Sequence, residues 1–204
     1  MEKKKLLQAI LNEAAQNGIG TVDDLKRVSL RQCEVAMDSM YNDLLFMLLK
    51  DSASIDFFCK PYDEVDIDYN RTSKEYTVTL PVPVVQTQKN IGVHLVRGVG
   101  SNRKFYPTTN EDVDLFTDMD ESTHYDRTLY VMDGNSKIKL LNFDYTSLNI
   151  RRVQLKLIPT FMSYDWSEDV PIPSGRITEV VGIVAKQLLK GKKFLDTSVD
   201  GNPT

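Results

Sequence analysis

The 204-residue chain is 41% hydrophobic and 26% charged, the balance of a soluble globular protein with one substantial core, or a small domain with appended helices. Its formal net charge of -4 argues against a general nucleic-acid coat, whose surface needs excess Lys and Arg against phosphate, unless charge is segregated by region. Two cysteines, Cys33 and Cys59, make no disulfide framework and fit synthesis in a reducing cytosol.

The chain begins with Lys3-Lys4-Lys5-Leu6-Leu7, basic and then apolar. Gln8, Asn12 and Glu13 interrupt the run on a helical period, unlike a signal peptide. No stretch approaches the roughly 20 apolar residues of a membrane span. Leu6, Leu7, Ile10, Leu11 and Ala14 predict a first helix, which Gly18 and Gly20 stop. Thr21-Val22-Asp23-Asp24 reads as a capping-box start, with the Thr21 hydroxyl accepting from the N–H of Asp24. A second helix, broken near Ser29, carries Val35, Met37, Met40, Tyr41, Leu44, Leu45, Met47, Leu48 and Leu49, and ends at Asp51-Ser52-Ala53-Ser54. Residues 1–55 are therefore expected to be an N-terminal helical hairpin.

From Ile55 the period drops to two and aromatic and β-branched residues rise. Tyr76, Val78 and Leu80 alternate with Thr77 and Thr79 as a half-buried strand, and Pro81 and Pro83 forbid its central continuation. Ile91, Val93 and Leu95 alternate next. Thr128 to Met132 and Lys137 to Leu141 flank Asp133-Gly134-Asn135-Ser136, a strong hairpin signal because Gly accepts positive φ freely. Val153, Leu155 and Leu157 form the last strand before Pro159. The acidic run 111–121 is expected as a solvated connection. Residues 56–168 thus read as a mostly antiparallel β-sandwich or barrel.

Val170-Pro171-Ile172-Pro173-Ser174-Gly175 is an extended entry with Ser174 as N-cap. Ile177, Val180, Val181, Val184, Leu188 and Leu189 then recur at steps of three and four, predicting an amphipathic C-terminal helix over 169–191. Gly191 is placed to close it, with Lys186, Lys190, Lys192 and Lys193 at the negative dipole end. Residues 192–204 read as an extended, flexible docking tail in which Phe194 and Leu195 are the one large apolar pair. The fold class expected is α+β.

Signals of catalysis are poor. His94 and His124 have no second ligand nearby in sequence, and no C-x-x-C or H-x-x-x-H occurs. His94, out of phase with Val93 and Leu95, is expected to face outward. Asp112, Asp114, Asp118, Asp120 and Glu121 resemble a calcium loop but lack the glycine and glutamate of an EF-hand. Cys33 has no base close in sequence. The expectation is no enzyme, no cofactor and no metal. Arg97-Gly98-Val99-Gly100-Ser101-Asn102-Arg103-Lys104 holds a lone G-x-G with no helix after it, so neither a Rossmann nor a P-loop reading survives. Its bland reading is a basic loop tip. Its sharper reading is sequence-independent phosphate contact through Arg97, Arg103 and Lys104.

Several phrases carry a resemblance: Ser29-Leu30-Arg31-Gln32-Cys33 in the helical region, Leu80-Pro81-Val82-Pro83-Val84-Val85 after the early strand, and the Tyr130-Val131-Met132-Asp133-Gly134 hairpin. They are joined by Val170-Pro171-Ile172-Pro173-Ser174 before the last helix, and by Asp196-Thr197-Ser198-Val199-Asp200-Gly201-Asn202. In this order the chain resembles virion structural proteins of crAss-like and related Bacteroidetes-infecting tailed phages, which form rings between portal and tail. It departs from them where Phe194-Leu195-Asp196 replaces the usual proline-and-aspartate phrase. The resemblance implies a homo-oligomeric ring, commonly a dodecamer, in the virion neck. Such a ring stacks on the portal or on a neighbouring neck or tail ring and lines the path of packaged DNA, with no membrane involved. Arg97, Arg103 and Lys104 would then be DNA-channel contacts, and Phe194 and Leu195 inter-ring docking residues. The competing expectation is a β-sandwich binding module, such as a head decoration or tail adhesin.

Overall fold

The computed structural model describes residues 1–16, 30–50, 55–85, 92–101, 103–109, 127–143 and 145–196. The expected capping box at Thr21 to Asp24, the helix end at Asp51 to Ser54, the strand start at Ile91 and the acidic run 111–121 lie outside them. The chain divides into two units: one joins residues 1–58 to 160–204, the other is residues 59–159. The segments 1–55 and 169–191, separate parts in the sequence reading, thus belong to one discontinuous helical unit, and the β unit ends at Pro159 rather than at 168.

In the helical unit, α1 (Lys3–Gln16) buries Leu6, Leu7, Ile10 and Ala14, and α2 (Leu30–Lys50) buries Cys33, Met37, Met40, Tyr41, Leu44 and Leu45. Both stripes follow the three-and-four spacing that puts side chains on one helical face. Each packs against the C-terminal helix and against the other. That last helix runs Ile177–Asp196 and buries Val180, Val181, Val184 and Ala185. An amphipathic pair cannot cover both apolar faces alone, and the third helix supplies the missing surface.

The start of the chain is tied to residues 160–170. The Lys3 N–H donates to the Glu168 carbonyl at 2.9 Å, and the Val170 N–H to the Met1 carbonyl at 3.0 Å. Lys3 is 3% exposed. Its Nζ pairs with Glu34 at 2.9 Å, donates to the Tyr164 carbonyl at 3.0 Å, and lies 5.2 Å from the Phe161 ring centre. A buried ammonium is tolerable only with such partners. Beside it the hydroxyls of Tyr41 and Tyr164 lie 3.3 Å apart, and the Tyr41 ring meets Phe58 edge-on.

Two expectations for the C-terminal helix are corrected. Ser174 does not cap it: residues Ser174–Arg176 form a 3-10 turn whose Arg176 N–H donates to the Pro173 carbonyl at 2.8 Å. Nor does Gly191 end it, since the helix continues through Asp196. Glycine inside a helix costs only about 1 kcal/mol against alanine, and each further residue adds a hydrogen bond to a helix already nucleated. The expected tail therefore begins as helix, and residues 197–204 lie outside the description.

The β unit is an eight-stranded sheet in the order β1-β8-β4-β5-β6-β7-β3-β2. Its strands are β1 (Lys60–Asp66), β2 (Asp68–Asn70), β3 (Glu75–Thr79), β4 (Val93–Gly98), β5 (Lys104–Pro107), β6 (Leu129–Asp133), β7 (Lys137–Leu141) and β8 (Arg152–Leu157). A short helix, α3 (Tyr145–Leu148), precedes β8, which makes the C-terminal helix α4. All pairs are antiparallel except β5 with β6. The edge strands β1 and β2 are separated in the chain by Ile67 alone. Strands at opposite edges yet joined by one residue force the sheet to curl until it nearly closes.

Inside the curl Val78, Val96, Phe105, Tyr130, Ile138, Leu140, Val153 and Leu155 form the core. The Tyr130 hydroxyl donates to the Val93 carbonyl at 3.1 Å, and burial pushes its phenol well above the usual range. The hairpin expected at Asp133-Gly134 forms between β6 and β7, with Gly134 at φ +68°. Strand β1 is not legible in the sequence: Pro61, a bulge between Tyr62 and Val65, and Glu64 at φ +58° break its alternation. Among the described residues no helix is long and apolar enough to cross a membrane.

Candidate anion-binding groove

The connection between β4 and β5 is a tight basic turn, and two glycines shape it for different reasons. At Gly98 a Cβ would stand 2.7 Å from Cδ1 of the buried Ile150, so only a bare Cα fits against the core. Gly100 takes φ +74°, where an L side chain is strained. The turn is bonded internally: the Gly98 N–H donates to the Arg103 carbonyl at 3.2 Å, and the Ser101 N–H to the Gly98 carbonyl at 3.3 Å. The Arg103 N–H donates to Ser101 Oγ at 3.1 Å, and Arg97 Nε to the Ser101 carbonyl at 3.2 Å. This holds the Arg97 guanidinium against the loop.

Strand register aligns the polar side chains. Arg97 on β4 stands opposite Gln154 on β8 and opposite Lys104 on β5. Neighbouring strands are about 4.8 Å apart, so Lys104, Arg97 and Gln154 form one row on the face away from the core. An open groove of about 280 Å³ is lined by Arg97, Gly98, Gly100, Ser101 and Gln154. Arg152 and Lys156, both exposed, lie two residues either side of Gln154 on the same strand face. Arg152 pairs with Glu64 and Asp66 of β1. Five cationic residues, Arg97, Arg103, Lys104, Arg152 and Lys156, thus gather around these strands in a chain whose formal net charge is -4. These cations cluster beside the exposed carboxylates Asp63, Glu64 and Asp66 of β1, so the acidic total by itself says little about this face.

Of the residues singled out from sequence, Arg97 and Lys104 are brought side by side. Arg103 sits at the end of the turn, half-buried, as the last residue before β5. Gln154 escapes a reading by sequence. It carries no charge and no motif, and its only signal is its place between inward-facing Val153 and Leu155. His94 is exposed, at the register shift of β4 between Val93 and Leu95. Phe194 and Leu195 lie on the last turns of α4, and their side chains fall outside the description.

The groove is lined by a guanidinium, an amide and a hydroxyl, with the Lys104 ammonium next in the row, a set suited to oxyanions through charge-assisted hydrogen bonds. Compared with known proteins, the chain matches no protein-family model and no curated protein.

Proposed function

We propose that this chain is a non-enzymatic structural subunit of a ring in a phage head-to-tail connector, placed in the virion neck between portal and tail. The observation that carries the reading is the cationic face around Arg97, Lys104 and Gln154 on a chain of negative total charge. Such a face meets backbone phosphate without reading sequence, and the acidic remainder keeps a channel from gripping DNA in passage. The resemblance of its phrases to those of the crAss-like ring proteins points the same way. In it the nearly closed sheet is a barrel wall, and the helical unit provides surface for neighbouring copies and for the stacked portal or tail ring, as a heterologous cyclic contact requires. The test is to locate the chain in the particle with a gold-labelled antibody under negative stain. Label at the portal–tail joint, on a ring with a central hole, is expected. Label on the capsid surface or on fibres would sink the reading.

One observation favours the binding-module alternative. Tyr69 is exposed and lies tilted against Tyr76 with ring centres 4.7 Å apart, an exposed aromatic pair of the kind that can receive sugar rings. Glycan binding lost in Tyr69→Ala would establish that reading instead.

A further inference from the structure

We infer that the groove between β4, β5 and β8 is a discrete oxyanion site that takes one phosphate group at a time, held by Arg97, Gln154, Lys104 and Ser101. The inference rests on the connector reading only for the source of the phosphate, the backbone of DNA in passage. The site itself follows from geometry.

Three features separate a built site from a surface that happens to be basic. The first is register. Three donors of different kinds, ammonium, guanidinium and amide, stand in one row because antiparallel pairing puts Arg97 opposite both Lys104 and Gln154. The second is orientation. A surface arginine normally loses rotamer freedom when it binds, but Arg97 is already held through Nε by the Ser101 carbonyl at 3.2 Å. That lowers the ordering cost of receiving an anion. Ser101 Oγ accepts from the Arg103 N–H at 3.1 Å and keeps its own proton to donate. The third is space. The groove of about 280 Å³ is several times the share of one water, roughly 30 Å³, and Gly100 adds no side chain to its lining. The turn's internal bonds explain why Ser101 and Arg103 sit where they do. They leave Gln154 out, and strand register sets this neutral donor in line with Arg97 and Lys104, where an oxyanion can use it. Of the exposed carboxylates on the adjoining strand β1, Asp63 and Glu64 lie in the bulge facing Gln154, and Glu64 and Asp66 pair with Arg152.

Phosphate could arrive as a free ion or as a phosphodiester, and the experiment separates the two. Amide resonances of Gly98, Ser101 and Gln154 in the full chain are followed during titration with inorganic phosphate. Anisotropy of a labelled DNA duplex is followed in parallel over a range of salt. The variants are Gln154→Glu, which keeps size and replaces the amide donor with a carboxylate, Arg97→Gln, and Lys137→Gln on β7 as a control cation outside the groove. Saturable shifts at those amides are expected, and Gln154→Glu should weaken phosphate and duplex binding about tenfold, the scale of one lost charge-assisted bond. Arg97→Gln should lower the salt slope of duplex binding by about one, and Lys137→Gln should leave the phosphate shifts unchanged. Phosphate binding without duplex binding would uphold the site and count against the DNA-lining reading. Duplex binding that free phosphate competes away upholds both. If the amides do not move, or if Gln154→Glu, with an unchanged thermal midpoint, binds like the parent, the site is refuted even where a neck ring is seen.

Discussion

Replacing Gly98 by alanine tests whether the groove's wall is set by core packing. The new Cβ would lie 2.7 Å from Ile150 Cδ1, 3.1 Å from Cγ2 and 3.2 Å from Cγ1. Ordinary carbon contacts are about 3.5–4.0 Å, and Ile150 is buried. The cost should be that of an overpacked core, about 1–3 kcal/mol. Ile150→Val removes the nearest atom, Cδ1, and alone should cost about 0.5–1.5 kcal/mol. In the double variant the two changes relieve one another, so its loss should fall below the sum of the singles by about 1 kcal/mol. Urea unfolding reads this directly: a loss of about 2 kcal/mol at a slope near 2 kcal/mol per molar lowers the midpoint by about 1 M. Because the chain has two units, the unfolding is best followed by amide exchange at Val96 and Leu155, both buried in the β unit. Strict additivity, or a Gly98→Ala protein as stable as the parent, would mean that this glycine answers only to the turn.

Lys3→Met removes the ion pair to Glu34 and the bond to the Tyr164 carbonyl while keeping most of the side chain's bulk. It should cost about 1–3 kcal/mol, since the partners stay behind unpaired, and a thermal midpoint equal to or above the parent's would contradict that. Cys33 is fully buried, and burial pushes its thiol up. In native buffer it should therefore resist Ellman's reagent and react only after denaturation; prompt labelling of a Cys59→Ser variant would overturn this. Gly191→Ala tests the helix that runs past its expected stop: inside a helix alanine should raise stability by about 0.5–1 kcal/mol, whereas loss of stability would place the helix end at Gly191.

The elements with a clean local period are legible in the amino-acid sequence by itself. Leu6, Leu7, Ile10 and Ala14, then Val180, Val181 and Val184, lie on buried helical faces because a helix repeats within a turn and needs no partner to declare its stripe. Asp133-Gly134 declares its hairpin for the same reason, since a turn is decided by its own residues. The cations Arg97, Arg103 and Lys104 are visible as a basic tip. What depends on distant pairing is not legible. Strand β1 pairs with β8, far along the chain, through a bulge that cancels its alternation, so nothing within Lys60–Asp66 announces a strand. Gln154 becomes a groove residue only when β8 lies against β4 in the register that sets it opposite Arg97. The union of the two chain ends in one unit likewise lies in no local pattern, because α1 and α4 each present an ordinary amphipathic stripe that any apolar face could cover. Local periodicity states which face of an element must be buried. Which surface buries it is decided by hydrophobic burial summed over the whole fold, and only the tertiary structure contains that choice.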